Sequence, residues 1–360
     1  MMEDVVWVDF DFMEQFMVDV FVALGASKED AEICADVLIT SDKRGIDSHG
    51  VNRLKPMYYD RIKAGIQFPK AKYEVVRETS TTAVIDGNRG MGHATAKHAM
   101  ELAISKAKEH GLGMTVVRNS THFGIAGYYV LMAVEAGMIG ISGTNARPSV
   151  APTYGVEPML GTNPLTIGMP SDEDFPFVLD PATSIIQRGK VEVHARTGEP
   201  IHEGLVIDSK GDYLTDPNEI LEKLLKKEAS FLPIGGKAET GGYKGYGYST
   251  VVEILSSALQ SGAFLQAITG VNVGHFFIAI DVEAFTDLDS FKKTTGDILR
   301  ALRGSKRMPG EPRIYTAGEK EHLAWLERKD KGVPLNKSLQ KEVLQMRDEL
   351  GLETRFPFEG

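Results

Sequence analysis

The sequence predicts a mixed α/β (α+β) fold: a central sheet domain with a helical lobe formed by both chain ends. The first 65 residues and the chain after about residue 317 carry apolar residues at helical spacing. Between them, strand-like apolar runs alternate with helical patterns. The chain has 360 residues, 42% hydrophobic and 25% charged, which is enough for two or three lobes with a core. We therefore expect a helical lobe of residues 1–75 and 315–360 and an α/β domain at 76–314.

The amino-terminal pattern predicts three consecutive helices. Residues 9–24 and 28–44 have apolar residues three and four positions apart, and Ser27 is placed as the N-cap of the second helix. A third helix is expected at 49–64, with Ser48 as its N-cap.

The middle of the chain predicts strands separated by helices. Strands are expected at 82–87, 113–119, 138–144, 164–170, 177–183 and 275–282, and helices at 93–111, 246–262 and 289–303.

Charge and cysteine content exclude several classes of protein. The net charge is −10 and both signs are interleaved, which disfavours nucleic acid and anionic membranes as partners but leaves room for a small-anion pocket. Cys34 is the single cysteine, so an intramolecular disulfide and a cysteine-based zinc site are excluded. The acidic start "MMEDVVWVDFDFMEQF" differs from a signal peptide, and no apolar run reaches the length of a membrane span. We expect a cytoplasmic protein.

Common cofactor and metal motifs are missing. Neither GxGxxG, the Rossmann fingerprint, nor the GxxxxGK[ST] phosphate loop occurs. HExxH and HxH are absent too, and the nine histidines are scattered, so we expect no metal site.

The segment "RGIDSHGVNRL" combines groups that handle a small acid. If Ser48 caps a helix, His49 lies in its first turn and Arg53 lies on the same face four residues later. A helix start and an arginine suit a carboxylate, and a histidine transfers protons near neutral pH. The alternative is structural: a capping serine, a surface ion pair between Asp47 and Arg53, and an exposed His49.

Three further positions stand at strand or helix ends. His122, in "THFG" after a predicted strand, could face a crevice or simply bond to loop backbone. Asp180 could accept bonds from ribose hydroxyls, or Asp180 and Thr183 could cap a following helix. Lys244, in "GGYKGYG" at a helix start, could bind phosphate or carboxylate or be a solvated turn lysine.

Taken together, these stretches resemble the type-2 malate/L-lactate dehydrogenase family. The resemblance rests on "RGIDSHGVNRL", "VRNSTHFGIAGYY", "YGVEPMLGTNPLTIGMP", "LDPATSIIQRGKVEV" and "GGYKGYG" followed by "VEILSSALQSG". It runs in order from about residue 7 to the mid-300s and is strongest toward archaeal malate dehydrogenases. It implies a non-Rossmann fold, in agreement with the missing GxGxxG, and NAD- or NADP-dependent oxidation of a 2-hydroxy acid. (S)-Malate is the expected substrate; L-lactate, sulfolactate and other 2-oxo-acid or imine substrates are the alternatives.

The resemblance also implies site residues. Ser48 and Arg53 line the substrate site, and either His49 or His122 transfers the proton. The cofactor positions are Ala146, Asp180, Pro181, Ala182, Lys244, Arg307, Gly310 and Glu311. Many relatives have methionine where this chain has Pro181. Members pair as dimers, so a homodimer or a higher homo-oligomer is expected.

Two other classes of protein remain as alternatives. A metal-dependent lyase or hydrolase could use Asp47, His49 and His122, and a chelator would then abolish its activity. A non-enzymatic acid-binding module would keep Arg53 but would not bind NADH or NADPH.

Overall fold

The computed structural model describes residues 5–359 and contains a seven-stranded central sheet. The strands, in chain order, are β1 (Val6–Val8), β2 (Glu74–Glu78), β3 (Thr82–Asp86), β4 (Leu112–Ser120), β5 (Met138–Thr144), β6 (Leu165–Met169), β7 (Phe177–Leu179), β8 (Val206–Asp208), β9 (Ala229–Phe231), β10 (Val273–Asp281) and β11 (Val333–Leu335). The helices are α1 (Phe10–Ala23), α2 (Lys28–Lys43), α3 (Asp60–Lys63), α4 (Gly92–His110), α5 (Ala126–Glu135), α6 (Arg188–Thr197), α7 (Pro217–Lys226), α8 (Gly242–Leu255), α9 (Leu288–Arg303), α10 (Glu319–Arg328) and α11 (Lys337–Leu350).

The order of the central sheet is β2-β3-β4-β10-β5-β6-β7. β3 and β4 run parallel, and the other neighbouring pairs of this sheet run antiparallel. A Rossmann fold has a mostly parallel sheet, so the predicted mixed, non-Rossmann fold is confirmed.

Small residues allow α4 to lie close against the sheet. Ala99, Ala103 and Ala107 recur at four-residue spacing on α4 and are fully buried against the sheet. A Cβ at Gly113 of β4 would lie 2.1 Å from the Ala103 carbonyl oxygen, so this approach requires glycine.

Both chain ends contribute to one helical core. β1 pairs antiparallel with β11, and the Phe16 and Phe356 rings lie 5.0 Å apart, edge to face. Residues of α1, α2 and α11 share this buried cluster. The domain bounds 1–75, 315–360 and 76–314 stay a prediction, and residues 1–4 and 360 lie outside the described chain.

Most of the expected elements are present, but the third helix is wrong. Residues 47–53 form two 3₁₀ turns, Leu54–Tyr59 a π-helical turn, and only α3 is α-helical. Pro56 has no N–H to donate to the preceding turn, which disfavours a continuous α-helix. Ser48 makes no cap bond.

Two further boundaries differ from expectation. Asp180 and Thr183 do not cap a helix, because α6 begins later with Gln187 at its N-cap. The helix expected at 246–262 occupies Gly242–Leu255. It begins earlier because the glycine-rich segment before residue 246 is itself helical, and it ends earlier, at Leu255.

Candidate active site

The two candidate histidines meet although they come from distant segments: His49 from the loop at 44–54 and His122 from the segment that follows β4. The His49 and His122 rings are stacked, with centroids 5.7 Å apart and planes inclined by 23°. His122 lies two residues beyond Ser120, the last residue of β4. Both histidines are partly buried, so the alternative of an exposed His49 is wrong.

Tyr58 orients His122, and sequence reasoning missed it. Its hydroxyl lies 2.5 Å from His122 Nδ1, and the Gly124 amide donates to the same nitrogen at 3.3 Å. The neutral ring therefore accepts at Nδ1 and carries its proton on Nε2. Because a hydroxyl both donates and accepts, Tyr58 can also accept from Nδ1–H once His122 is protonated. No local pattern identifies a pair that is 64 positions apart.

Burial keeps both histidines neutral at pH 7. Desolvation, followed by the positive charge of Arg53, lowers the pKa of His49 to about 4. Desolvation also holds the pKa of His122 well below its usual value, and the neighbouring His49, His93, Arg53 and Arg61 lower it further. A bound anion would stabilise the protonated rings and so raise the pKa of both histidines.

Arg53 turns back toward the loop that carries the histidine. Its Nε donates to the Ser48 carbonyl oxygen at 2.5 Å, which leaves its terminal nitrogens for other partners. The expected shared helix face of His49 and Arg53 is wrong, because two 3₁₀ turns replace the helix. The Ser48 hydroxyl lies 2.9 Å from His49 Nδ1.

An arginine from the carboxyl-terminal part anchors this loop. Arg328 of α10 pairs with both carboxylate oxygens of Asp47, one of them at 2.9 Å, and donates to the Asp42 carbonyl oxygen at 2.9 Å. The alternative ion pair between Asp47 and Arg53 is therefore wrong. The Asp42 carboxylate accepts the Val51 amide at 2.8 Å, and burial raises its pKa well above the usual value.

Asp180 braces two elements of the sheet domain. Its oxygens accept bonds from the Thr166 hydroxyl at 2.7 Å and from the Gly127 amide at 2.8 Å. Burial is the largest influence and raises the pKa of this carboxyl. Asp180 thus holds the start of α5 against β6.

The other expected cofactor residues lie on several loops. The Ala146 amide donates to Asn163 Oδ1 at 3.2 Å. Lys244 is exposed in the first turn of α8, whose N-cap, Gly241, provides no side-chain cap. Pro181 and Ala182 are partly buried beside Asp180, and Arg307, Gly310 and Glu311 lie in an exposed loop after α9.

Two structural features bear on other classes of protein. Within residues 5–359, no group of three or more His, Cys, Asp and Glu side chains is placed to hold a metal ion. In the same part of the chain, every helix is too short or too polar to cross a bilayer.

Comparison with known proteins identifies the family. The family model described as malate/L-lactate dehydrogenase matches residues 8–344. A malate dehydrogenase of Pyrococcus horikoshii is 42% identical over 98% of this chain and 97% of its own length. A malate/(S)-sulfolactate dehydrogenase of Methanothermus fervidus is 36% identical over 94% of this chain and 96% of its own. The crystal structure of malate dehydrogenase from Entamoeba histolytica superposes with a TM-score of 0.95 at 46% identity, covering 99% of this chain and 100% of that one.

The fold and the match define an oxidoreductase that acts on 2-hydroxy acids. The chain belongs to the malate/L-lactate dehydrogenase family. Membership implies a nicotinamide cofactor, which agrees with the cofactor class expected from the sequence.

Proposed function

We propose that this enzyme interconverts (S)-malate and oxaloacetate with NAD or NADP at the His49–His122 pair. The observation that carries the proposal is the stacking of two neutral, partly buried imidazoles, one of which lies in the same segment as Arg53. The relatives named malate dehydrogenase support the choice of substrate. Sulfolactate is the second candidate, because the Methanothermus relative is named for both acids.

Arg53 binds the C1 carboxylate of the substrate. Its Nε is held by the Ser48 carbonyl, so the terminal nitrogens remain as a fork for two carboxylate oxygens. The exposed Ser48 hydroxyl holds His49 through Nδ1 and leaves His49 Nε2 to donate to, or accept from, the bound acid.

His122 transfers the proton. A substrate carboxylate beside the histidines raises their pKa values, so His122 becomes an imidazolium with Nδ1–H bonded to Tyr58. In oxaloacetate reduction, Nε2–H donates to the C2 keto oxygen and gives up its proton as the alcohol forms. Malate oxidation reverses this transfer, with Nε2 accepting the hydroxyl proton. We choose His122 over His49 because its orienting partner is a buried tyrosine from another segment, whereas His49 is oriented by the exposed Ser48 next to it.

The start of α8 fits a dinucleotide. The exposed Lys244 in the first turn suits a pyrophosphate, while the amides of Gly242 and Lys244 already donate to the carbonyl oxygens of Lys237 and Gly241. The proposed set also includes Ala146, Asp180, Pro181, Ala182, Arg307, Gly310 and Glu311. When bound, the cofactor supplies or accepts the hydride at C2.

Assembly and location are part of the proposal. We expect a homodimer or a higher homo-oligomer, because Val251, Ile254 and Phe264 expose apolar side chains around α8. A cytoplasmic location agrees with the single, buried Cys34.

A matrix of rates tests the proposal. Malate, L-lactate and sulfolactate are each assayed with NAD and with NADP, for the wild type and for His49→Asn, His122→Asn and Arg53→Ala. We expect malate turnover, a loss of about 10²- to 10⁴-fold in kcat for His122→Asn, and mainly a higher KM for Arg53→Ala. Activity should persist with a chelator present. Near-normal turnover in both histidine variants would show that neither ring transfers the proton.

A further inference from the structure

Arg53 and Arg61 lie close enough to His122 to lower its pKa, Arg147 lies close to Arg61, and the described chain provides no carboxylate partner for any of the three. Among residues 5–359, no Asp or Glu lies within ion-pair distance of Arg53, Arg61 or Arg147. Other arginines of the chain, such as Arg118 and Arg328, are paired. A cluster of unpaired guanidinium groups near a reaction centre is a receptor for anionic groups of a ligand.

Arg61 and Arg147 converge on Gly270. Arg61 Nη1 donates to the Gly270 carbonyl oxygen at 2.9 Å. The side chain of Arg147 packs against the same residue: a Cβ built there would lie 3.0 Å from Arg147 Cδ and 3.2 Å from Nε. Gly270 has a φ of +92°, which a residue with a side chain rarely adopts, so glycine permits this close approach.

The sheet places this pair at the same end as His122. β10 lies between β4 and β5, and Gly270 comes shortly before β10 begins. His122 follows the end of β4, and Arg147 follows the end of β5. Because β4 and β5 both run antiparallel to β10, the segments after β4 and β5 and the segment before β10 lie at the same end of these strands.

The three arginines also interact electrostatically. Burial above all, and then Arg147 and Arg53, lower the pKa of Arg61. Arg53 and Arg61 both act on Tyr58 as well, opposing the rise in its pKa that burial causes. Neighbouring like charges in a partly buried site destabilise one another, and a bound anion relieves this repulsion.

We propose that Arg61 and Arg147 bind the second anionic group of the substrate, so that this enzyme selects 2-hydroxy acids bearing a distal carboxylate or sulfonate. This inference rests on the proposed function and assigns the specificity of that site. Arg53 takes the C1 carboxylate, and the guanidinium pair takes the far end, where malate and sulfolactate carry an anion and lactate has a methyl group. Arg147 is exposed and Arg61 partly buried, so an entering acid can reach both.

Selectivity between oxaloacetate and pyruvate tests the assignment in the holoenzyme. Arg147→Gln should lower kcat/KM for oxaloacetate by about 10- to 100-fold, mostly through KM, because it removes a charged hydrogen bond. Pyruvate reduction should change by less than about twofold, since its methyl group does not use this bond. Arg147→Lys keeps the charge and should recover part of the preference, and Arg61→Gln should reduce it as well.

Arg77→Gln is the matched control, because Arg77 is an exposed arginine on β2. This substitution should leave kcat/KM for oxaloacetate and for pyruvate unchanged. An unchanged oxaloacetate-to-pyruvate ratio in Arg147→Gln and Arg61→Gln, with the wild type active, would overturn this inference and leave the proposed function standing. A wild type that reduces neither acid nor sulfopyruvate would overturn both.

Discussion

The Tyr58 hydroxyl lies 2.5 Å from Nδ1 of His122, although 64 positions separate the two residues in the chain. Tyr58 is fully buried, and its ring also packs against His93 at a centroid distance of 4.7 Å. The hydroxyl is therefore held in place by the core while its oxygen faces the candidate site. This contact ties His122, the proposed proton-transfer residue, to the helical core.

Removing this hydroxyl should impair His122 without affecting the binding of substrate. In Tyr58→Phe the imidazolium loses the acceptor for its buried Nδ1–H, and a hydrogen bond to a charged group contributes about 1.5–3 kcal/mol. We expect kcat to fall by roughly 10- to 100-fold with little change in KM. The pH above which reduction declines should move lower, because the protonated ring is less stable.

Tyr59→Phe is the control for this prediction. Tyr59 is also buried, but its hydroxyl bonds to Glu349 at 2.5 Å instead of to a histidine. Its pH profile should match that of the wild type. If the profile of Tyr58→Phe matches too, Tyr58 has only a packing role.

Gly50 is required for the shape of the loop that carries His49. A Cβ at this position would lie 2.0 Å from Asp42 Oδ1, and the same carboxylate holds the Val51 amide. Gly50→Ala should therefore destabilise the fold by about 1–3 kcal/mol and displace the loop, with a loss of turnover. Urea denaturation and steady-state assays measure the two effects.

Gly189→Ala is the matched change, because nothing lies within 4 Å of a Cβ built on Gly189 in α6. Alanine favours a helix over glycine, so this variant should be as stable as the wild type or slightly more so. Equal stability of the Gly50→Ala and Gly189→Ala variants would contradict the steric account.

His93 should make the protein sensitive to acid. It is fully buried and neither ring nitrogen has a hydrogen-bond partner, and burial lowers its pKa to about 3. The unfolded chain, with a histidine pKa near 6.5, binds this proton first as the pH falls. The contribution of neutral His93 is therefore complete above pH 6.5 and decreases between pH 6.5 and 3, by about 1.4 kcal/mol per unit.

The comparison of His93→Gln with the wild type isolates this effect. Between pH 7.5 and 5, the free energy of unfolding of the wild type should fall by about 2 kcal/mol more than that of the variant. His202→Gln, at an exposed position, should follow the wild type. Parallel curves for His93→Gln and the wild type would mean that His93 is already charged or solvated in the folded protein.

Elements with strong periodicity could be read from the sequence. β5 occupies residues 138–144 as expected, α4 and α9 lie within one residue of their expected bounds, and Ser27 caps α2 through the Asp30 amide. These patterns are local, because a strand or helix shows its buried face every second or every third to fourth residue. The helix predicted after Ser48 was wrong, because Pro56 and the Asp42 carboxylate determine the shape of this segment and neither effect shows in the spacing of apolar residues.

The sequence alone determined the mixed fold, the class of enzyme and the short stretches that supply Ser48, His49, Arg53 and His122, because these follow from local pattern and family resemblance. Only the tertiary structure decided that Arg328 and not Arg53 pairs with Asp47, that Tyr58 holds His122, and that Arg61 and Arg147 meet at Gly270. These contacts join residues that are far apart in the chain. Their partners are selected by how the sheet and the helical core pack, and the spacing of residues along the sequence carries no record of that packing.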